Sequence, residues 1–212
     1  MTAASDSLVD LLGGKRGALD ATAPPVVFAA GWLVSGQSIA WGAAAAVVVS
    51  ALIALWRMSR GEKVTAVLGG LAAVVVAALV ALYTGRAEDF FLIQLLSNTA
   101  SSLAWALSIL IRWPLLGVVV GLLLGQKGRW RRDPDLVRAY GRASWVWTAQ
   151  YVLRTVVYGL LWWSGQVVAL TAARVVMSWP LLALVVAVSA VVLRRALPAD
   201  HPGFRHPRLP DQ

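Results

Sequence analysis

The sequence predicts an all-α membrane protein: a helical bundle of about six spans with one further short helix that is re-entrant or interfacial. Three observations carry this. The chain has 212 residues, 59% of them apolar and 14% charged, with a mean hydropathy of +0.71, and so few charges cannot coat a water-soluble domain of this size. Its apolar residues gather into runs of about 20, the length a helix needs to cross the hydrocarbon core. Its 19 Lys and Arg against 10 Asp and Glu, a net charge of +9, fall mostly in the connectors between those runs. Clustered in this way they read as a topology signal before they read as an affinity for nucleic acid. The chain has no Cys, which removes disulfides, thiolate metal sites and Cys nucleophiles.

Residues 1–19 form a cytoplasmic N-terminal segment. Asp6 and Asp10 interrupt Leu8, Val9, Leu11 and Leu12, so no cleavable secretory signal is expected. The four apolar residues have helical spacing and fit an interfacial helix or a frayed terminus equally. The single membrane domain covers 20–195. Its first span, about 20–35, places Pro24 and Pro25 in an opening helical turn, where missing N–H groups cost least. The remaining spans are expected at 38–56, 64–83, 90–111, 144–163 and 167–193. Pro180 should kink the last of them and free a carbonyl. Residues 113–125 are too short to cross. There Gly117, Gly121 and Gly125 recur every fourth residue, the spacing that lets another helix approach closely. Residues 196–212 are a Pro-rich cytoplasmic tail carrying His201 and His206, the chain's two histidines.

Alternating six spans from a cytoplasmic N-terminus gathers the basic residues on one side. Lys15, Arg16, Arg57, Arg60, Lys63, the loop Lys127, Arg129, Arg131, Arg132, Arg138 and Arg142, and the tail's Arg194, Arg195, Arg205 and Arg208 all lie inside. The outer connections, 36–37, 84–89 and 164–166, hold only Arg86. That asymmetry predicts a cytoplasmic-membrane protein with both termini inside. The loop from Lys127 to Arg142 should attract anionic headgroups, and plain topology retention explains it as well. Asp133-Pro134 has the form of a helix start, an N-cap followed by proline at the first helical position.

Polar residues inside the spans mark a bundle interior. Gln94, Asn98, Ser101 and Ser108 share one face of the fourth span, and Thr148, Tyr151, Thr155 and Tyr158 line the fifth. Thr171 and Ser178 belong to the last. Such faces turn toward protein or trapped water, because lipid leaves their hydrogen-bonding groups unpaired. Arg154 and Arg174 lie within the spans, where a cation costs about 2.5–3.5 kcal/mol on the lenient insertion scale. With Arg112 they are candidate contacts for an anion or a lipid headgroup. Structural bonding of Arg154 to helix carbonyls competes with that reading, and Glu88 or Asp89 could fold in toward Arg174.

No phosphate-binding loop, metal-type His cluster, paired carboxylates or nucleophile-and-base set is present in the sequence. No cofactor, nucleic-acid partner or enzymatic activity is expected. Anionic membrane lipids and other membrane proteins are the expected partners, and homo-oligomerisation is open.

Several segments together resemble the actinobacterial membrane family called domain of unknown function 3159. They are Gly13 to Asp20 leading to Pro24-Pro25-Val26-Val27-Phe28, Arg131-Arg132-Asp133-Pro134 leading to Tyr140, Ala143 and Trp145, and Ser178-Trp179-Pro180-Leu181. The layout is more distantly similar to the intracellular septation protein A family. That likeness rests on the early Pro and Val-Val-Phe, the basic loop Arg57 to Lys63 and the entry Glu88-Asp89-Phe90-Phe91. The second resemblance implies a role in cell-envelope integrity or division, with no catalytic residues to transfer. The expected function is therefore an envelope or division scaffold contacting membrane proteins or anionic lipid. The alternative is a small carrier or channel for an anionic solute that uses Arg154 and Arg174.

Overall fold

Apolar runs punctuated by proline, glycine and short polar turns fold as helices throughout the computed structural model. It describes residues 14–126, 128–198, 200–204 and 206–208, with side chains from Thr22 onward, and contains no strand among them. The helices are α1 Gly14–Val34, α2 Ile39–Ser59, α3 Val64–Thr84, α4 Leu92–Leu110, α5 Leu115–Leu123, α6 Pro134–Trp163, α7 Val167–Val176 and α8 Trp179–Ala196. Single 3₁₀ turns at Ala87–Phe91 and Arg129–Arg132 precede α4 and α6. Gly85 ends α3 with φ +70°, its N–H closing on the Ala81 carbonyl at 3.1 Å. Glycine adopts that left-handed conformation without a Cβ clash.

Four stretches are long and apolar enough to cross a membrane: α2, α3, Ala87–Leu110 and α8. Two shorter apolar helices accompany them, Thr22–Val34 within α1 and Val167–Val176. α6 carries the fifth apolar run as the distal part of a 30-residue helix whose first turns bear Asp135, Arg138 and Arg142.

Two sequence expectations are corrected here. The run 167–193 is not one helix, because α7 stops at Val176 and α8 starts at Trp179. Pro180 has no N–H for the Val176 carbonyl four residues back, and its ring crowds that carbonyl. Ser178 completes the break, its hydroxyl donating to the Val175 carbonyl at 2.6 Å. At ten residues, α7 rises only about 15 Å, half the roughly 30 Å of a hydrocarbon core. α1 begins at Gly14, so Pro24 and Pro25 lie inside it rather than in its first turn. The reading of Leu8, Val9, Leu11 and Leu12 falls outside the described residues.

The chain forms two compact units. Unit 1 comprises residues up to Leu95 together with Val157–Trp179. At its core Phe28 stacks on Phe90, with centroids 4.0 Å apart, and Phe91 meets Phe28 edge-on at 6.3 Å. Small residues bring α1 and α2 together: a Cβ at Gly42 would sit 2.8 Å from the Phe28 carbonyl oxygen. This is the close backbone approach that membrane helices use in place of a hydrophobic drive.

Unit 2 comprises Leu96–Val156 and the chain from Pro180 onward. Its core centres on Trp130, Leu136, Tyr140 and Leu193. α5 is short, and its first N–H groups need partners from elsewhere. Ser108 of α4 accepts from Leu115 N–H at 3.2 Å, and Ser144 of α6 accepts from Leu116 N–H at 3.4 Å.

The glycine repeat on α5 does not receive another helix. A Cβ at Gly117 would lie 2.7 Å from the Trp130 ring, and one at Gly121 would lie 2.6 Å from it. The space the two glycines vacate is filled by an indole from the following turn. Gly125 has φ +64° and serves the exit from the helix instead. Gly121→Ala should therefore lower the melting temperature in detergent, by a destabilisation of about 1–3 kcal/mol typical of an overpacked core. Gly69→Ala, which meets open space, should leave it unchanged or slightly higher; equal losses at both sites would contradict the packing described.

Candidate functional site

The functional side chains of unit 2 collect around the start of α6. Asp133 lies just before Pro134, and its two carboxylate oxygens do different work. Oδ1 accepts the N–H groups of Asp135 at 3.1 Å and Leu136 at 3.2 Å, the N-cap the sequence predicts. Oδ2 faces the C-terminal tail. It lies 2.9 Å from His201 Nε2 and accepts the Arg208 backbone N–H at 2.7 Å. Both side chains are sealed from solvent, at 1% exposure for Asp133 and 0% for His201.

The imidazole's other nitrogen fixes the geometry. Gly203 N–H donates to His201 Nδ1 at 3.0 Å, so a ring with its proton on Nε2 satisfies both contacts. Gln126 Nε2 donates to the Phe204 carbonyl at 2.8 Å, and the Arg208 guanidinium grips Asp200 at 2.8 Å. His201, Phe204 and Arg208 are thus bonded to the loop before α6. Burial by itself would raise the Asp133 carboxyl. The bonds from Arg208 N–H, His201 and Leu136 N–H outweigh it and hold the group below the usual carboxylate range.

Beside this latch lies a cavity of about 540 Å³ that three arginines border. Arg112 comes from the turn after α4, Arg131 from the 3₁₀ turn and Arg138 from the second turn of α6. Arg112 has φ +55°, a left-handed conformation that L residues other than Asn and Asp rarely adopt. Arg131 lies over the half-exposed Trp113 ring, 3.7 Å from its centroid. Arg138 meets Asp135 at 3.4 Å with its side chain 70% exposed. Arg129, Arg132 and Arg142 of the same loop are exposed, and Lys127 lies outside the described residues.

The remaining polar positions divide between the units. In unit 2, Asn98, Ser108 and Thr148 are buried, and Ser101, Tyr151 and Thr155 are half-buried. In unit 1, Tyr158 and Thr171 are buried, and Gln94 and Ser178 are half-buried. Arg154 belongs to unit 2, its guanidinium 5.8 Å from the Tyr151 ring centroid. Arg174 belongs to unit 1, where it lines a cavity of about 380 Å³ with Arg57, Gln94, Pro24 and Pro25. Asp89 is buried, and its Oδ1 accepts the Trp162 indole N–H at 2.7 Å. Glu88 pairs with Arg86 at 2.8 Å. Spacing pointed to neither of these bonds, nor to the partnership of His201 and Arg208 with Asp133.

A family model described as "Protein of unknown function (DUF3159)" matches residues 12–200. The chain matches no curated protein and no solved structure.

The latch has a signed pH dependence. Asp133 ionises more readily in the folded chain than in an unfolded one, so its contribution is complete above the ordinary carboxylate range and fades as pH falls through and below it. Proteolysis after residue 197 should therefore be slow near pH 5 and accelerate toward about pH 3. Asp133→Asn should be cut readily at both, and equal protection of the variant and the parent chain would refute the latch.

Proposed function

The chain belongs to the DUF3159 family, and from that premise we propose a multi-spanning scaffold of the cytoplasmic membrane. It is of the envelope-maintenance or division type, with an inner face that contacts anionic lipid or membrane proteins. The observation that carries this reading is the bonding of the tail to the loop before α6 through Asp133, His201 and Arg208.

Two consequences support it. Loop and tail must lie on the same side of any bilayer that the helices cross, so the chain between 134 and 197 crosses an even number of times. Six spans with both termini inside satisfy that, with α6 leading out and α7 with α8 leading back. The same side then carries the basic loop and the tail arginines, in keeping with cytoplasmic retention of positive charge. The sealed Asp133–His201 pair faces protein rather than substrate space. It holds two chain segments together, the work of a scaffold rather than of a general base.

A second reading, a carrier for an anionic solute, draws on the unit 1 cavity with Arg57 and Arg174. Under the scaffold reading, vesicles containing the protein should show no anion flux that Arg154→Gln or Arg174→Gln abolishes. Loss of flux in a folded variant would favour the carrier.

The absence of native Cys makes the topology directly measurable. Single cysteines replacing Glu62, Arg129 or Asp200 should resist a membrane-impermeant maleimide in intact cells, and cysteines replacing Arg86 or Ser164 should react. Labelling of position 62 or 200 from outside would overturn the arrangement.

A further inference from the structure

We propose that the cavity bordered by Arg112, Arg131 and Arg138 binds the phosphate headgroup of an anionic phospholipid. The assignment rests on the membrane reading above and names the ligand of its inner face.

Charge comes first. Three arginines from three separate elements border one recess of about 540 Å³, and its described lining contains no carboxylate. Of the neighbouring acids, Asp133 is sealed inside the latch, and Asp135 pairs at 3.4 Å with Arg138, so Arg112 and Arg131 carry the charge of the recess. Guanidinium is the side chain best matched to phosphate, offering paired N–H donors in a plane. The volume lies within the range of about 300–1,000 Å³ typical of ligand sites.

The surroundings indicate an amphiphile rather than a free ion. Leu110 and Ile111, immediately before Arg112, are 73% and 61% exposed, and Leu122 on α5 is 76% exposed. Trp113, half-exposed beneath the Arg131 guanidinium, is the residue type that settles at the headgroup level. A lipid with its phosphate among the arginines would lay its acyl chains along these apolar side chains.

The positions are also built. Pro114 is fully buried beside Arg112, and the latch fixes the start of α6, from which Arg138 projects. Arg112 keeps its left-handed backbone in that setting. Strain of this kind persists where the surrounding structure over-determines it.

The full chain in nanodiscs of phosphatidylcholine with a minor fraction of spin-labelled phosphatidylglycerol tests this. The parent protein should retain an immobilised population of the label. Arg112→Gln with Arg131→Gln should weaken retention by roughly 25-fold, about fivefold per arginine near the bilayer surface. Arg194→Gln with Arg195→Gln, on α8 and not part of the cavity lining, should weaken it far less. Equal losses in the two double variants would reduce the effect to general surface charge and overturn the site. Full displacement of the label by millimolar inorganic phosphate would reassign the cavity to a small anion. Should the first double variant fail to fold, Arg138→Gln, whose side chain is largely exposed, is expected to lose about fivefold, and no loss there would refute the proposal. Nanodiscs expose both faces, so these outcomes do not depend on which side the loop occupies; maleimide labelling alone decides that.

Discussion

The end of unit 2 where α6 begins depends on one carboxylate. Asp133 spends Oδ1 on the orphan N–H groups that open α6 and Oδ2 on the tail's His201 and Arg208. A neutral side chain at this position could cap the helix, but it would not give the imidazole and the Arg208 amide an ionised acceptor at the same time. Bonds to charged groups are worth roughly 1.5–3 kcal/mol each against about 1 for neutral ones. The buried charge is tolerated because four donors converge on it, which is the condition for keeping a carboxylate ionised away from water.

The same demand, that every buried polar group find a partner, shapes the irregular parts of the chain. α5 starts where it does because Ser108 and Ser144 supply acceptors for its first two N–H groups. α7 ends where it does because Pro180 has no N–H for the Val176 carbonyl, while the Ser178 hydroxyl bonds the Val175 carbonyl. Elsewhere in unit 2 the described residues leave the demand unmet. Asn98 Nδ2, Gln150 Oε1, Thr155 Oγ1 and Ser189 Oγ are buried and bonded to no other described group. Groups of this kind recruit ordered water or a second chain.

Much of the architecture was legible because its causes are local. Apolar run length gives α2, α3 and α4 to within a few residues, and Asp133-Pro134 names both the cap and the first residue of α6. The polar positions from Gln94 and Asn98 to Thr171 and Ser178 are buried or half-buried within their units. The misses have a common origin. Gly117 and Gly121 announce that something large must fit against α5, but spacing cannot say that it is the Trp130 ring rather than a helix. Pro180 announces a disturbance, but proline alone does not say whether the helix bends or divides. His201 lies 68 residues from its partner Asp133, and no periodicity spans that distance. In the candidate site, Arg112, Arg131 and Arg138 were visible separately, as a span end and a charged loop; only the turn at Arg112 brings them to one recess.

Function at this end follows from combining a rigid base with a charged rim. Basic loops that merely retain topology need no fixed geometry, since each Lys or Arg acts through its charge alone. Here the loop is pinned at three points: Trp130 into the glycine notch of α5, Asp133 into the start of α6, and Gln126 and Asp133 to the tail. Ordering residues costs about 1–2 kcal/mol each in backbone entropy alone, an expense with no return if the arginines only had to remain on one side of a bilayer. The return lies in position: guanidiniums held at set places can recognise a particular headgroup or partner surface, whereas mobile ones only attract negative charge. That difference makes the loop before α6, rather than Arg154 and Arg174, the part of the chain whose basic residues are most specifically positioned.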